Sequence, residues 1–305
     1  MADCALFDID GVLVDVRRSY NEAVKKTVDF VLKDSKMRGV VTDQLILKFK
    51  QGGGFNNDTD TSYSIALALL ANPQKNVTSA RRFLTQVAEN ADETGIVSVE
   101  KQLAEYDTAK FKEVLAYPAP VKDSYIGRVF DELFYGPRLF RKQNGVSPKY
   151  CEGRPLIDND RLAVGKKTMK ILNERFSGSL AIVSGRSRLA AEYSLKPIWQ
   201  YFNIDACVFL EDEKREYAKP NPYAAKKTMQ AMGAKSAVYA GDSVEDMLMA
   251  RRAQEETGHP IAFVGIYGCS PEPGKTRAMF VERGAEAVAR SVDSLPKLLN
   301  KVKPA

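Results

Sequence analysis

The chain has 305 residues, long for one domain and comfortable for two. Its 44% hydrophobic content can fill a core, and 28% charged residues suit a soluble surface. The formal charge of +6 comes from Lys and Arg interspersed with Asp and Glu, with no block of five or six like charges, so a nucleic-acid tail is unsupported and an anionic small substrate fits equally well.

The four cysteines, Cys4, Cys151, Cys207 and Cys269, are scattered and form no C-x-x-C pair, so neither a zinc site nor a disulfide framework is expected. Without a basic, apolar leader or a run as long as a membrane span, a cytoplasmic protein with reduced thiols and no membrane partner is expected. The single histidine, His259, sits in the turn-like Thr257-Gly258-His259-Pro260. Multi-histidine metal sites and Ser–His–Asp hydrolysis are thereby disfavoured.

In chain order, the first element is Ala5-Leu6-Phe7-Asp8-Ile9-Asp10-Gly11-Val12-Leu13, an apolar run ending in two acids and a glycine. Such a run reads as a buried strand, with Asp8 and Asp10 on one side of its carboxyl end by the period-two alternation. Two carboxylates so close need a cation or a shared proton.

From residue 17 to 145 the pattern turns helical. Tyr20, Val24, Val28 and either Val31 or Leu32 share one stripe, and further helices are expected over 42–50, 60–71, 77–91, 97–115 and 122–135. Between the second and third lies Gly52-Gly53-Gly54-Phe55-Asn56-Asn57-Asp58, a loop able to approach a polar ligand.

From residue 146 strands and helices alternate. A helix is expected over 160–176, followed by apolar runs at 180–183, 206–210, 237–240 and 261–265. Helices are expected between these runs and over 293–301. This alternation predicts an α/β fold with a doubly wound parallel sheet, Rossmann-like, interrupted after its first strand by an all-helical insert. The domains expected are residues 1–16 with 146–305, and 17–145.

Polar residues follow the apolar runs, where an open parallel sheet places its ligand site. They are Asp8 and Asp10, Ser184, Lys219 in Ala218-Lys219-Pro220-Asn221-Pro222, and Gly241-Asp242-Ser243-Val244-Glu245-Asp246. The spacing of Asp242 and Asp246 puts both on one face of a helix's first turn. Oxygen donors with few others favour a hard cation such as Mg2+, which takes carboxylates together with substrate phosphate. The segment Gly268–Thr276 looks like a phosphate-binding loop, but its glycines are one residue too far apart and two prolines remove amide donors. It reads as a connection near the site.

These four segments resemble, in order, the four motifs of the haloacid dehalogenase superfamily: Asp8-Ile9-Asp10-Gly11-Val12-Leu13, Val183-Ser184-Gly185-Arg186, Lys219-Pro220-Asn221-Pro222, and Gly241-Asp242-Ser243 through Asp246. The insert is similar in position to that family's helical, C1-type cap. The resemblance implies Asp8 as nucleophile, Asp10 as general acid and base, and Ser184 and Lys219 as holders of the phosphoryl group. It implies Mg2+ on Asp8, the Asp10 backbone carbonyl and Asp242, with Asp246 direct or through water. Dehalogenases of this family lack an acid at the Asp10 position, because a halide leaves without a proton, so Asp10 points to phosphoryl transfer.

The function expected is a Mg2+-dependent phosphatase acting on a small phosphorylated metabolite through an aspartyl-phosphate. A phosphomutase with the same motifs is the alternative. A non-catalytic binding protein is a further one, disfavoured by the complete set of acids with Ser184 and Lys219. Expected substrate contacts are Gly185, Arg186, Arg17, Asn56, Asn57 and Asp58, with Arg18 and Tyr20 nearby. A monomer and a homodimer both fit the sequence.

Overall fold

The computed structural model describes residues 2–33, 35–55 and 57–299. It divides into an α/β unit, up to Val16 and from Arg161 onward, and a helical unit, Arg17–Asp160.

The chain opens with β1 (Cys4–Phe7), four apolar residues that are all buried, and the short β2 (Val14–Asp15). The helical unit follows with α1 (Tyr20–Val31), α2 (Asp43–Gly52), α3 (Asp58–Ala71), α4 (Val77–Glu89), α5 (Ile96–Gln102), α6 (Ala109–Leu115) and α7 (Tyr125–Asn144). Its centre is α3, buried along nearly its whole length and packed by α1, α5, α6 and α7. Side-chain oxygens begin several of these helices: Thr42 accepts from the Leu45 amide, Asn57 from Thr59, Asn76 from Ser79 and Ser124 from Gly127. Each satisfies an amide that the first helical turn leaves without a partner.

Two expectations change here. The segment 97–115 forms two short helices, parted where the Tyr106 hydroxyl accepts from the Asn72 side chain. The last helix runs past residue 135 to Asn144, broken at Gly136, whose φ of +63° is followed by Pro137. The backbone thus leaves and re-enters the helix with proline in a first turn, where its missing N–H costs nothing.

Residues 146–160, expected in the α/β domain, belong to the helical unit. The buried Glu132 carboxylate accepts from the amides of Lys149, Tyr150 and Cys151 at 2.7, 2.6 and 2.8 Å, and from Arg128 Nε at 2.9 Å. The turn at 156–159 packs on α7 and α1, and the Ser19 hydroxyl donates to Asp160. Sequence periodicity does not register such long-range pairings.

In the α/β unit β3 (Arg161–Leu162) pairs antiparallel with β2. Then come α8 (Lys166–Arg175), β4 (Leu180–Ser184), α9 (Arg188–Leu195), β5 (Val208–Phe209), α10 (Tyr223–Ala231), β6 (Ala237–Gly241), α11 (Val244–Thr257), β7 (Ile261–Ile266), α12 (Pro273–Glu282), β8 (Ala287–Ala289) and α13 (Leu295–Leu298). The helix expected from residue 160 starts later because β3 takes its first residues. The strand β8 and helix α12 were not anticipated, and residues 300 and 301 of the expected last helix lie outside the described residues.

Six strands form one sheet in the order β5-β4-β1-β6-β7-β8, all parallel. The fold is a doubly wound α/β sheet. The chain builds outward from β1 to β4 and β5, then returns to the other side of β1 with β6, so the winding reverses around β1. That reversal opens a crevice at the carboxyl ends of β1, β4 and β6. Leu6, Val183, Tyr239 and Phe263 belong to one packed cluster beneath it. Among the described residues no helix is long and apolar enough to cross a membrane.

Candidate active site

Asp8 follows β1 directly and is 3% exposed. Its amide donates to the Ala240 carbonyl at 3.0 Å, which carries the sheet pairing one residue past the strand. Its Oδ1 accepts from the Ile9 amide at 2.7 Å and lies 3.1 Å from Lys219 Nζ. These contacts hold Oδ1.

Lys219 reaches the same point from the segment before α10, with its side chain wholly buried. Its Nζ also lies 2.7 Å from Asp246 Oδ1. One ammonium therefore serves two buried carboxylates, and one negative charge of the trio stays uncompensated. The electrostatics follow from this count. Burial lifts the Asp8 carboxyl to about 7, with Lys219 pulling it down and Asp246 and Asp10 pushing it up. Burial alone would lower Lys219, but Asp246 and Asp8 outweigh it and hold the ammonium well above its usual range.

Asp246 is fixed by its own helix end. Ser243 and Asp246 cap α11 reciprocally, with Asp246 Oδ2 accepting from the amides of Asp242 and Ser243 at 3.2 Å and from Ser243 Oγ at 2.8 Å. Its Oδ1 takes the Lys219 ammonium and faces the Tyr239 hydroxyl at 3.1 Å. Tyr239 was expected only as part of an apolar strand, yet its hydroxyl spans from Asp246 to the Val183 carbonyl at 3.2 Å. A tyrosine three residues before Asp242 in a buried run is the signal that could have marked it, since a buried phenol needs a polar partner.

Asp242, half-buried, completes the group: single oxygens of Asp8, Asp242 and Asp246 lie within 4.8 Å of one another. Gly11 makes room for it. With φ at +73°, a Cβ there would meet Asp242 Oδ2 at 1.9 Å, so the loop after β1 passes the carboxylate only as glycine. A cluster of oxygen donors around an uncompensated buried charge fits a hard divalent cation, and Mg2+ in particular.

Asp10 stands apart from that cluster. Its Oδ1 accepts from Arg186 Nε at 2.7 Å and lies 2.6 Å from Nη2. Ser184 ends β4, fully buried, and its Oγ accepts from the Arg186 amide at 3.4 Å. Gly185 between them is exposed. The carboxyl ends of β1, β4 and β6 thus collect Asp8, Asp10, Ser184, Asp242 and Asp246, and Lys219 joins them from the segment before α10. The other expected contacts lie in the helical unit. Arg17 and Arg18 are exposed, Tyr20 stacks on Phe134 with centroids 4.0 Å apart, Asn57 caps α3, and Asp58 is buried with its Oδ1 3.0 Å from Lys50 Nζ. Asn56 lies outside the described residues. His259 precedes β7 at the opposite, amino end of that strand.

Comparison with known proteins bears on this arrangement. A family model described as haloacid dehalogenase-like hydrolase matches residues 2–254. Among solved structures, Phosphatase Tt82 from Thermococcus thioreducens is 23% identical with a TM-score of 0.58, over 86% of this chain and 92% of that one. A haloacid dehalogenase-like hydrolase from Bacteroides fragilis is 16% identical with a TM-score of 0.51, over 97% and 100%. These likenesses concern the fold. No curated protein sequence matches the chain.

Proposed function

The chain belongs to the haloacid dehalogenase-like hydrolase family, and from that premise we propose that it is a Mg2+-dependent phosphatase of small phosphomonoesters. The observation that carries the reading is the Asp8 carboxylate, one oxygen of which is held by the Ile9 amide and Lys219, together with a second acid, Asp10, on a separate cation.

In this mechanism Asp8 Oδ2 attacks phosphorus as the bond to the leaving oxygen breaks, giving an aspartyl-phosphate. Asp10 gives its proton to the leaving oxygen, then takes one from the water that attacks the aspartyl-phosphate, freeing inorganic phosphate and restoring Asp8. Lys219 and Ser184 hold the phosphoryl oxygens where charge develops. Asp8, Asp242 and the Asp10 backbone carbonyl would hold Mg2+. When bound, the ion neutralises charge so that an anionic nucleophile can approach an anionic ester. The saturated hydrogen bonding of Asp246 favours a role through Lys219, with any link to the ion made by water. Gly185 stays a candidate for a substrate contact.

The test is phosphate release from a panel of small phosphomonoesters, p-nitrophenyl phosphate included, with Mg2+ and with EDTA. Release that needs Mg2+ and stops in EDTA is expected. A folded protein that releases nothing from any ester would overturn the reading, and labelled phosphate retained in an organic product would make it a mutase.

A further inference from the structure

Arg186 sits in the second motif, where an arginine would be expected to meet a substrate. Its side chain is instead fully buried. The guanidinium places Nε and Nη2 2.7 and 2.6 Å from one oxygen of Asp10, Oδ1, and Nη1 donates to Ser194 Oγ on α9 at 2.7 Å. A buried cation keeps such a place only with its charge matched and its donors engaged. Here the match is the acid assigned to proton transfer, and that acid's side chain is 25% exposed.

We propose that Arg186, itself braced by Ser194, is a positioning residue for the proton-transfer acid: it grips Asp10 Oδ1 so that Oδ2 presents the proton to the leaving oxygen. The inference rests on the phosphatase reading above. Nε donates to Oδ1 and the Nη2 charge lies 2.6 Å from the same oxygen, so Oδ2 is the oxygen that cycles. It loses its proton to the leaving oxygen as the P–O bond breaks, and regains one from the water that cleaves the aspartyl-phosphate. Across that cycle the carboxyl alternates between neutral and ionised forms, and a planar fork holds one geometry through both. A lysine would supply the charge without the fork.

The experiment uses leaving groups that differ in their need for a proton. An alkoxide must be protonated as it leaves, whereas p-nitrophenolate departs without one. The quantity to read is kcat/KM, which covers the steps through leaving-group departure and omits hydrolysis of the aspartyl-phosphate. Wild type, Arg186→Lys and Ser194→Ala would be assayed with Mg2+ on p-nitrophenyl phosphate, phenyl phosphate and a primary alkyl phosphate. Arg186→Lys is expected to lose about 100-fold on the alkyl ester and no more than about fivefold on p-nitrophenyl phosphate, within the range general acid catalysis supplies. Ser194→Ala, which keeps the guanidinium, should show the same trend at about tenfold on the alkyl ester. In an Asp10→Asn background, Arg186→Lys should add no further leaving-group dependence.

A uniform loss across the three esters in variants that keep the wild-type circular dichroism would overturn the proposal, as would no loss, or effects of Asp10→Asn and Arg186→Lys that simply multiply. Should the wild type hydrolyse none of the esters, the phosphatase reading fails and the proposal with it.

Discussion

Replacing Asp8 by asparagine should abolish turnover and, in the absence of metal, stabilise the α/β unit. Asp8 and Asp246 share one buried ammonium, and asparagine removes the uncompensated charge while keeping the acceptor for the Ile9 amide. The size follows from the site. A carboxyl lifted from 3.8 to about 7 makes ionisation in the folded state cost about 4 kcal/mol above that pH, at about 1.4 kcal/mol per pH unit. Relaxation around the site lowers what is realised, and a gain of about 2–4 kcal/mol at pH 8 is expected. The sign is set by proton binding. Between pH 3.8 and about 7 the folded wild type holds a proton that the unfolded chain has released. Wild-type stability from this group is therefore full below 3.8 and lost as pH rises through about 7. The advantage of Asp8→Asn should accordingly be largest at pH 8 and fade towards pH 4. The assay is urea unfolding in EDTA followed by Trp199, the single tryptophan, which lies in the α/β unit and stacks on Phe209 with centroids 6.1 Å apart. Mg2+ should narrow the gap at pH 8 by stabilising the wild type. An Asp8→Asn protein no more stable than wild type at pH 8 in EDTA would refute the charge argument. Retained phosphatase activity would refute Asp8 as nucleophile.

Other outcomes follow from single contacts. Gly11→Ala combines a left-handed backbone with a Cβ 1.9 Å from Asp242 Oδ2, so Asp242 must move; the Mg2+ concentration for half-maximal activity should rise about tenfold or more, the equivalent of about 1.4 kcal/mol or more of lost binding. Glu132→Gln turns one of two acceptor oxygens into a donor facing backbone amides of residues 149–151. It should destabilise the helical unit by about 2–3 kcal/mol in urea unfolding followed by circular dichroism, and a neutral effect would show that this return segment is held by other contacts.

The strand leading to Asp8 was legible because its signal is local: four buried residues of β1 lead straight to Asp8, and apolar runs of strand length report their own ends. The same holds for Ser184 after β4, Asp242 after β6 and the first turn of α11, where a cap and an acid sit at fixed offsets. Alternation of strand and helix then brought those ends to one edge of a parallel sheet. Roles that depend on which side chains meet were not legible. Arg186 lies 176 residues from Asp10, and the sequence pointed it at substrate. Tyr239 passed as core because its ring is core, and only its hydroxyl reaches Asp246. Residues 146–160 read as the start of the α/β domain, yet Glu132 and the packing on α1 and α7 bind them to the helical unit. Periodicity encodes how a segment buries its own apolar face. Which buried charges share a counter-ion is settled only when distant segments close on one another, and in this chain that closure pairs Lys219 with two acids and Asp10 with Arg186.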